Sequence, residues 1–185
     1  MASLVLAGNT SGSITISSPS VSGTNTLTLP ANTGTVITTG STFAGTGPAF
    51  SVYLAANQSV TSTVLTKITL NTETFDTNNN FDPTTNYRFT PTVAGYYQIN
   101  AAAQSQATSM SAMVLTIFKN GAAYKTQTSA LGGTPAFVSM SISDVIYLNG
   151  STDYIELYGQ VNGTSPLLSG GSTPTFMSGV LVRSA

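Results

Sequence analysis

Asp76, Asn78, Asn80 and Asp82 place four oxygen-bearing side chains at alternate positions of one short segment. Hard oxygen donors spaced in this way are what a Ca²⁺ ion takes. The segment lacks the glycine and the distal glutamate of a helix-flanked calcium loop. A polar surface loop of Asn-rich turns explains the pattern more simply. Asp144, Asp153 and Glu156 could do acid–base work, because glycoside hydrolysis needs two carboxyl groups held across a sugar cleft. Glu156, however, alternates with Ile155 and Leu157, which points it out of a strand as a surface charge. Histidine and cysteine are both absent. Their absence removes Ser-His-Asp triads, thiol nucleophiles, thiolate metal sites and disulfides. No glycine-rich phosphate loop occurs. The expectation is a protein with no catalytic residues, no cofactor and no metal.

These side chains must sit on β-structure. No segment keeps an i, i+3, i+4, i+7 apolar pattern, while β-branched residues and Gly/Asn turns dominate. Tyr97, Ile99, Ala101 and Ala103 alternate with Gln98, Asn100, Ala102 and Gln104, the period of two of a strand. Met113–Phe118 (MVLTIF) is apolar on both faces, so it needs cover on both sides. Lys119-Asn120-Gly121 reads as a hairpin turn, since Asn-Gly suits type I′ geometry. Asn149-Gly150-Ser151 reads as a second such turn before a strand over Asp153–Tyr158. Thr175–Arg183 reads as the last strand.

Composition bounds the function. Only 6% of the 185 residues are charged, and the net charge is −1. Thr (31) and Ser (24) supply polarity in place of charge. Nucleic-acid binding needs clustered Lys and Arg, which this chain does not have. No apolar run is long enough for a membrane-spanning helix, and no basic leader marks secretion. Without disulfides, durability must come from dense β packing and from oligomerisation. The first charged residue is Lys67. The uncharged stretch before it divides into a β-rich arm (residues 1–40), a Gly-rich hinge (41–47) and a main domain (48–185). Within the arm, Ile14–Ser17, Thr26–Leu29 and Thr35–Thr38 read as short strands. They bury too little to fold without a partner surface.

The main domain's turns and strands follow a familiar order. Pro48-Ala49-Phe50-Ser51 opens it. Asn71 precedes a loop ending Phe81-Asp82-Pro83-Thr84-Thr85. Arg88-Phe89-Thr90-Pro91, Ala94-Gly95-Tyr96-Tyr97, Lys119-Asn120-Gly121, Leu148-Asn149-Gly150 and Thr175-Phe176-Met177-Ser178-Gly179-Val180-Leu181 follow. In this order they resemble the globular head domain of complement component 1q, within the tumour-necrosis-factor-like jelly rolls. One departure is the longer turn Gly150-Ser151-Thr152-Asp153. The resemblance implies an all-β antiparallel jelly-roll sandwich that packs as a homotrimer. Phe50, Tyr97, Met113, Leu115, Ile117, Phe118 and Phe176 are its expected trimer-packing residues. Gly95 is expected to permit a sharp bend.

The arm segment Thr26–Ser41 (TLTLPANTGTVITTGS) is similar to short modules that precede receptor-binding or decoration domains in virion proteins of tailed phages. That similarity implies a virion protein, made in a host cytoplasm. Two placements remain open. One is a trimeric capsid decoration (cement) protein whose partner is the major capsid protein. The other is the receptor-binding tip of a tail fibre or spike, whose partner is a host-surface glycan or protein. A chain that starts at its own Met1 with a short arm and no shaft favours decoration. Leu27, Leu29, Val36 and Ile37 are then the expected capsid-attachment residues. Neither placement involves nucleic acid or membrane.

Overall fold

The computed structural model describes residues 3–7, 10–17, 21, 23, 24, 47–133 and 135–185. The chain divides into two units, Met1–Thr39 and Gly40–Ala185. In the first, β1 (Ser3–Ala7) and β2 (Ser13–Ser17) form an antiparallel hairpin with Leu4 opposite Ile16. The sequence reading did not anticipate β1, because Leu4, Val5 and Leu6 form a continuous apolar run without the alternation that marks β2. The proposed strands Thr26–Leu29 and Thr35–Thr38 lie outside the described residues, as do Leu27, Leu29, Val36, Ile37 and most of the hinge.

The second unit is all-β among its described residues: β3 (Ala49–Tyr53), β4 (Gln58–Ser59), β5 (Thr66–Lys67), β6 (Thr72–Asp76), β7 (Phe81–Asp82), β8 (Arg88–Phe89), β9 (Gly95–Lys119), β10 (Ala122–Ala130), β11 (Phe137–Leu148), β12 (Ile155–Leu168) and β13 (Phe176–Ser184). All pairings are antiparallel. The long β9 belongs to both layers of a jelly roll. Its first half lies between β11 and β13, and β13 continues through β3 to β6. Its second half lies between β10 and β12, and β12 also pairs with β4, β5 and β8. Ser109, at φ 55°, sits where β9 passes from one layer to the other.

The strands' inward positions close one core. Phe50, Val52, Phe89, Tyr97, Ile99, Met113, Leu115, Ile117, Ile146, Leu157 and Met177 are all inaccessible to solvent. Phe50 stacks on Phe89 at 4.1 Å, and Phe89 meets the Tyr97 ring edge at 5.5 Å between centroids. Burying each such side chain contributes roughly 1.5–3 kcal/mol.

The two anticipated turns differ. Asn120 (φ 53°) and Gly121 (φ 79°) both have the left-handed backbone of a type I′ hairpin joining β9 to β10. The Asn149 segment is instead a crossover, since β11 and β12 pair with different halves of β9 and not with each other. Asn149 Oδ1 accepts the N–H groups of Ser151, Thr152 and Asp153 at 2.9–3.0 Å, folding the chain over between layers. Gly95 also has a different reason from the bend expected of it. A Cβ there would collide with the Arg183 carbonyl oxygen on β13, so the residue is small to let two backbones approach.

Candidate functional site

The candidate calcium loop holds itself together with the oxygens that a cation would need. Asp76 accepts the N–H of Asn78 at 3.2 Å and that of Phe81 at 2.7 Å, one on each carboxylate oxygen. Asn80 Oδ1 accepts from the backbone N–H and hydroxyl of Thr92 at 3.2 and 3.3 Å. Asp82 accepts the N–H groups of Thr84, Thr85 and Asn86, each at 3.0 Å, and the Asn86 amide at 2.7 Å. The Thr85 and Thr84 N–H groups hold the Asp82 carboxyl far below the usual carboxylate range. Asn78 Oδ1 accepts the Thr77 hydroxyl at 2.9 Å, so all four residues use side-chain oxygens on donors of their own loop or of Thr92.

The carboxylates considered for acid–base work are each held by a different lysine. Asp144 pairs with Lys125 at 3.2 Å, Asp153 with Lys119 at 3.1 Å and Glu156 with Lys67 at 2.6 Å. Asp153 is lowered mainly by its hydrogen bond from the Asn120 amide, with Lys119 adding to it. Glu156 does not behave as the ordinary surface charge expected of it. It is on the outward side of β12 yet only 4% exposed, covered by Lys67 and by Tyr158, whose ring stacks on Phe118 at 4.0 Å.

That stack corrects the reading of Met113–Phe118. Met113, Leu115 and Ile117 face the chain's own core. On the outward side Tyr158 covers Phe118, and Thr116, 1% exposed, meets the Thr126 hydroxyl at 3.2 Å. Neighbouring strands of the same chain thus supply both covers. Phe50, Tyr97, Met113, Leu115 and Ile117 have no surface to offer a partner. Of the expected packing residues, Phe118 and Phe176 keep partial exposure, Phe176 on the outer face of the other layer.

That outer face is the structure's most distinctive surface. Across β9, β11 and β13 its residues are Tyr96, Gln98, Asn100, Ala102 and Gln104, then Phe137, Ser139, Ser141, Ser143, Val145 and Tyr147, then Phe176, Ser178 and Val180. None is charged. Tyr96, Phe137, Val145, Tyr147 and Val180 are 40–55% exposed. Beyond a β13 register shift, Val182 (55% exposed) extends the face and Arg183 closes it. Two depressions mark it. One, of about 250 Å³, is lined by Asn100, Ser141, Ser143 and Phe176, and a second, of about 500 Å³, by Tyr96, Val145, Val182 and Arg183. Sequence reasoning used the inward half of the β9 alternation and passed over the outward half, which carries this surface.

No protein-family model matches the chain, and no curated protein sequence matches it. Solved structures do. Murine APRIL at pH 8.0 superposes with a TM-score of 0.57 and 12% identity, covering 73% of this chain and 98% of that one. The Eiger TNF of S. frugiperda superposes with a TM-score of 0.55 and 9% identity, covering 75% and 95%. The fold is that of the tumour-necrosis-factor jelly roll.

Proposed function

We propose that this chain is a non-enzymatic structural protein that works as a homotrimer, and that its trimers decorate the capsid of a tailed bacteriophage. The observation that carries the assembly is the uncharged outer face of β9, β11 and β13. Aromatic and aliphatic side chains left half-exposed on one flat face mark an association surface. Small Ser and Ala residues between them allow close approach of a second backbone. The opposite layer lacks that character: Glu156–Lys67 and Gln160–Asn162 satisfy one another there, the latter at 2.9 Å. A structural role also fits carboxylates that are already tied up in ion pairs and turns.

The phage assignment rests on the resemblance of the arm sequence Thr26–Ser41 to modules of tailed-phage virion proteins, a resemblance shared by shell and tail proteins. Light scattering on the purified chain should give three times its 19.0 kDa mass. A monomer at micromolar concentration refutes the assembly. Quantifying the chain against the major capsid protein in purified virions tests the placement: shell decoration requires hundreds of copies. A count of tens or fewer, confined to tails, would establish the receptor-binding tip instead.

A further inference from the structure

We infer that the cleft bounded by the 79–86 loop and β8 binds an acidic saccharide, a sugar unit carrying one carboxylate. The cleft lies outside the association face and is a shallow, open depression of about 510 Å³. Its walls include Asn79, Pro83, Asn86, Arg88, Thr90 and Thr92.

Arg88 is the centre of the argument. Lys67, Lys119 and Lys125 each have a carboxylate partner, whereas Arg88 has none among the described residues, which include every Asp and Glu. Its guanidinium makes no hydrogen bond to them either. It rests on the Tyr154 ring at 4.3 Å from the centroid, a contact that holds the guanidinium in place without using its N–H donors. A fork held in this way reads a carboxylate through two parallel hydrogen bonds.

The rest of the cleft separates into groups already used and groups still available. Asp76, Asp82 and the Asn80 oxygen are saturated by the loop's own donors. They rigidify the loop and hold Asn79 at φ 53°. The Asn79 amide, the Asn86 Oδ1 and the Thr90 hydroxyl make no hydrogen bond among the described residues. They match the alternating donors and acceptors of sugar hydroxyls. Asp82 lies opposite Arg88 in the β7–β8 register, so the cleft lacks the net positive charge that a dianion takes. One arginine beside a fixed negative charge favours a monoanion over a phosphate dianion.

The test is titration of the ¹⁵N-labelled full chain with D-glucuronate, followed by backbone amide shifts. Sodium acetate and methyl glucoside are titrated in parallel. The expected result is saturable, millimolar binding of glucuronate with shifts confined to residues 79–92. Acetate and the glucoside should each bind at least ~10-fold more weakly, since each lacks one half of the recognised chemistry. Arg88→Gln should lower glucuronate affinity by at least ~10-fold, and Arg88→Lys, which keeps charge without the fork, should lie between. Thr90→Val removes a hydroxyl without touching the cation–π pair and should weaken binding severalfold even if Arg88→Gln does not fold. Equal binding of acetate reduces the cleft to an anion site and overturns the proposal. So does equal binding of the glucoside, undiminished binding by Arg88→Gln, or shifts outside the loop. These outcomes are independent of trimer formation and of the chain's place in a virion.

Discussion

Lys67 and Glu156 show how one buried charge constrains a β-sheet surface. The Glu156 side chain is 6% exposed and its partner's 31%, so the carboxylate depends on this ammonium at 2.6 Å. Removing one partner of a buried pair costs more than removing both, because a lone buried charge remains. Lys67→Met should lower unfolding free energy in urea by about 2–3 kcal/mol, less than for a fully buried pair because water reaches Lys67. The double variant Lys67→Met/Glu156→Leu should recover most of that loss. A single variant as stable as the parent would show the pair to be idle. Tyr97 makes a second test at this scale. Burial pushes its hydroxyl up to about 12, and that hydroxyl donates to the Val93 carbonyl at 2.7 Å. A folded-state value above the unfolded one means stability that is complete below the ordinary tyrosine range and lost as pH rises through about 12. Tyr97→Phe should flatten the alkaline limb of stability against pH between about 10 and 12, at a cost of ~1 kcal/mol at neutral pH. An unchanged limb would assign alkaline unfolding to other groups. Asp82 has the opposite sign: its lowered value supplies stability above the ordinary carboxylate range that is lost on acidification.

At the scale of elements, the Asn120-Gly121 turn links a local rule to the fold. Gly121, at φ 79°, has only the Tyr154 hydroxyl near its absent Cβ, at 3.5 Å. Gly121→Ala should therefore cost the conformational price of a left-handed alanine, ~1–2 kcal/mol in thermal or urea unfolding, with no steric addition. A neutral substitution would mean that the turn is not type I′ in solution. This turn was legible because its two residues carry the geometry themselves. The Asn149 turn was misread because its dipeptide is the same, while its partners, the N–H groups of residues 151–153, act in a crossover that only the layer arrangement defines. The β9 alternation was legible for the same local reason as Asn120-Gly121, and its apolar set Tyr97, Ile99, Ala101 and Ala103 is the buried one, although Tyr97 was expected at a subunit contact. The outward cover of Met113–Phe118 was not legible. Tyr158 and Thr126 come from strands 40 and 10 residues away from Phe118 and Thr116, and periodicity says nothing about which strands become neighbours. The Arg88 cleft escaped notice similarly, since Arg88 and Tyr154 meet only through the β8–β12 pairing.

For the whole molecule, the layer that associates is the question with most consequence, because both layers contain apolar residues facing outward. On the β12 side these residues are satisfied within the chain, and adding charge there leaves a solvated surface. On the β11 side Ser141 stands opposite Ala102, beside Phe176, in the middle of the uncharged face. An arginine at this position is harmless in a monomer, where it projects into water. In a trimer it is buried against a neighbouring subunit that offers no carboxylate, a loss of several kcal/mol at each of three interfaces. Ser141→Arg should therefore reduce the particle mass to that of one 19.0 kDa chain while leaving the β-sheet circular dichroism unchanged. Melting of the parent should rise with protein concentration, as association requires, and melting of the variant should not. Gln160→Arg, on the outward side of β12, is the matched control and should remain trimeric. A trimeric Ser141→Arg together with a monomeric Gln160→Arg would move the interface to the other layer. Dissociation by neither would remove both outer faces from the assembly and leave the sheet edges, β10 foremost, as its remaining contact.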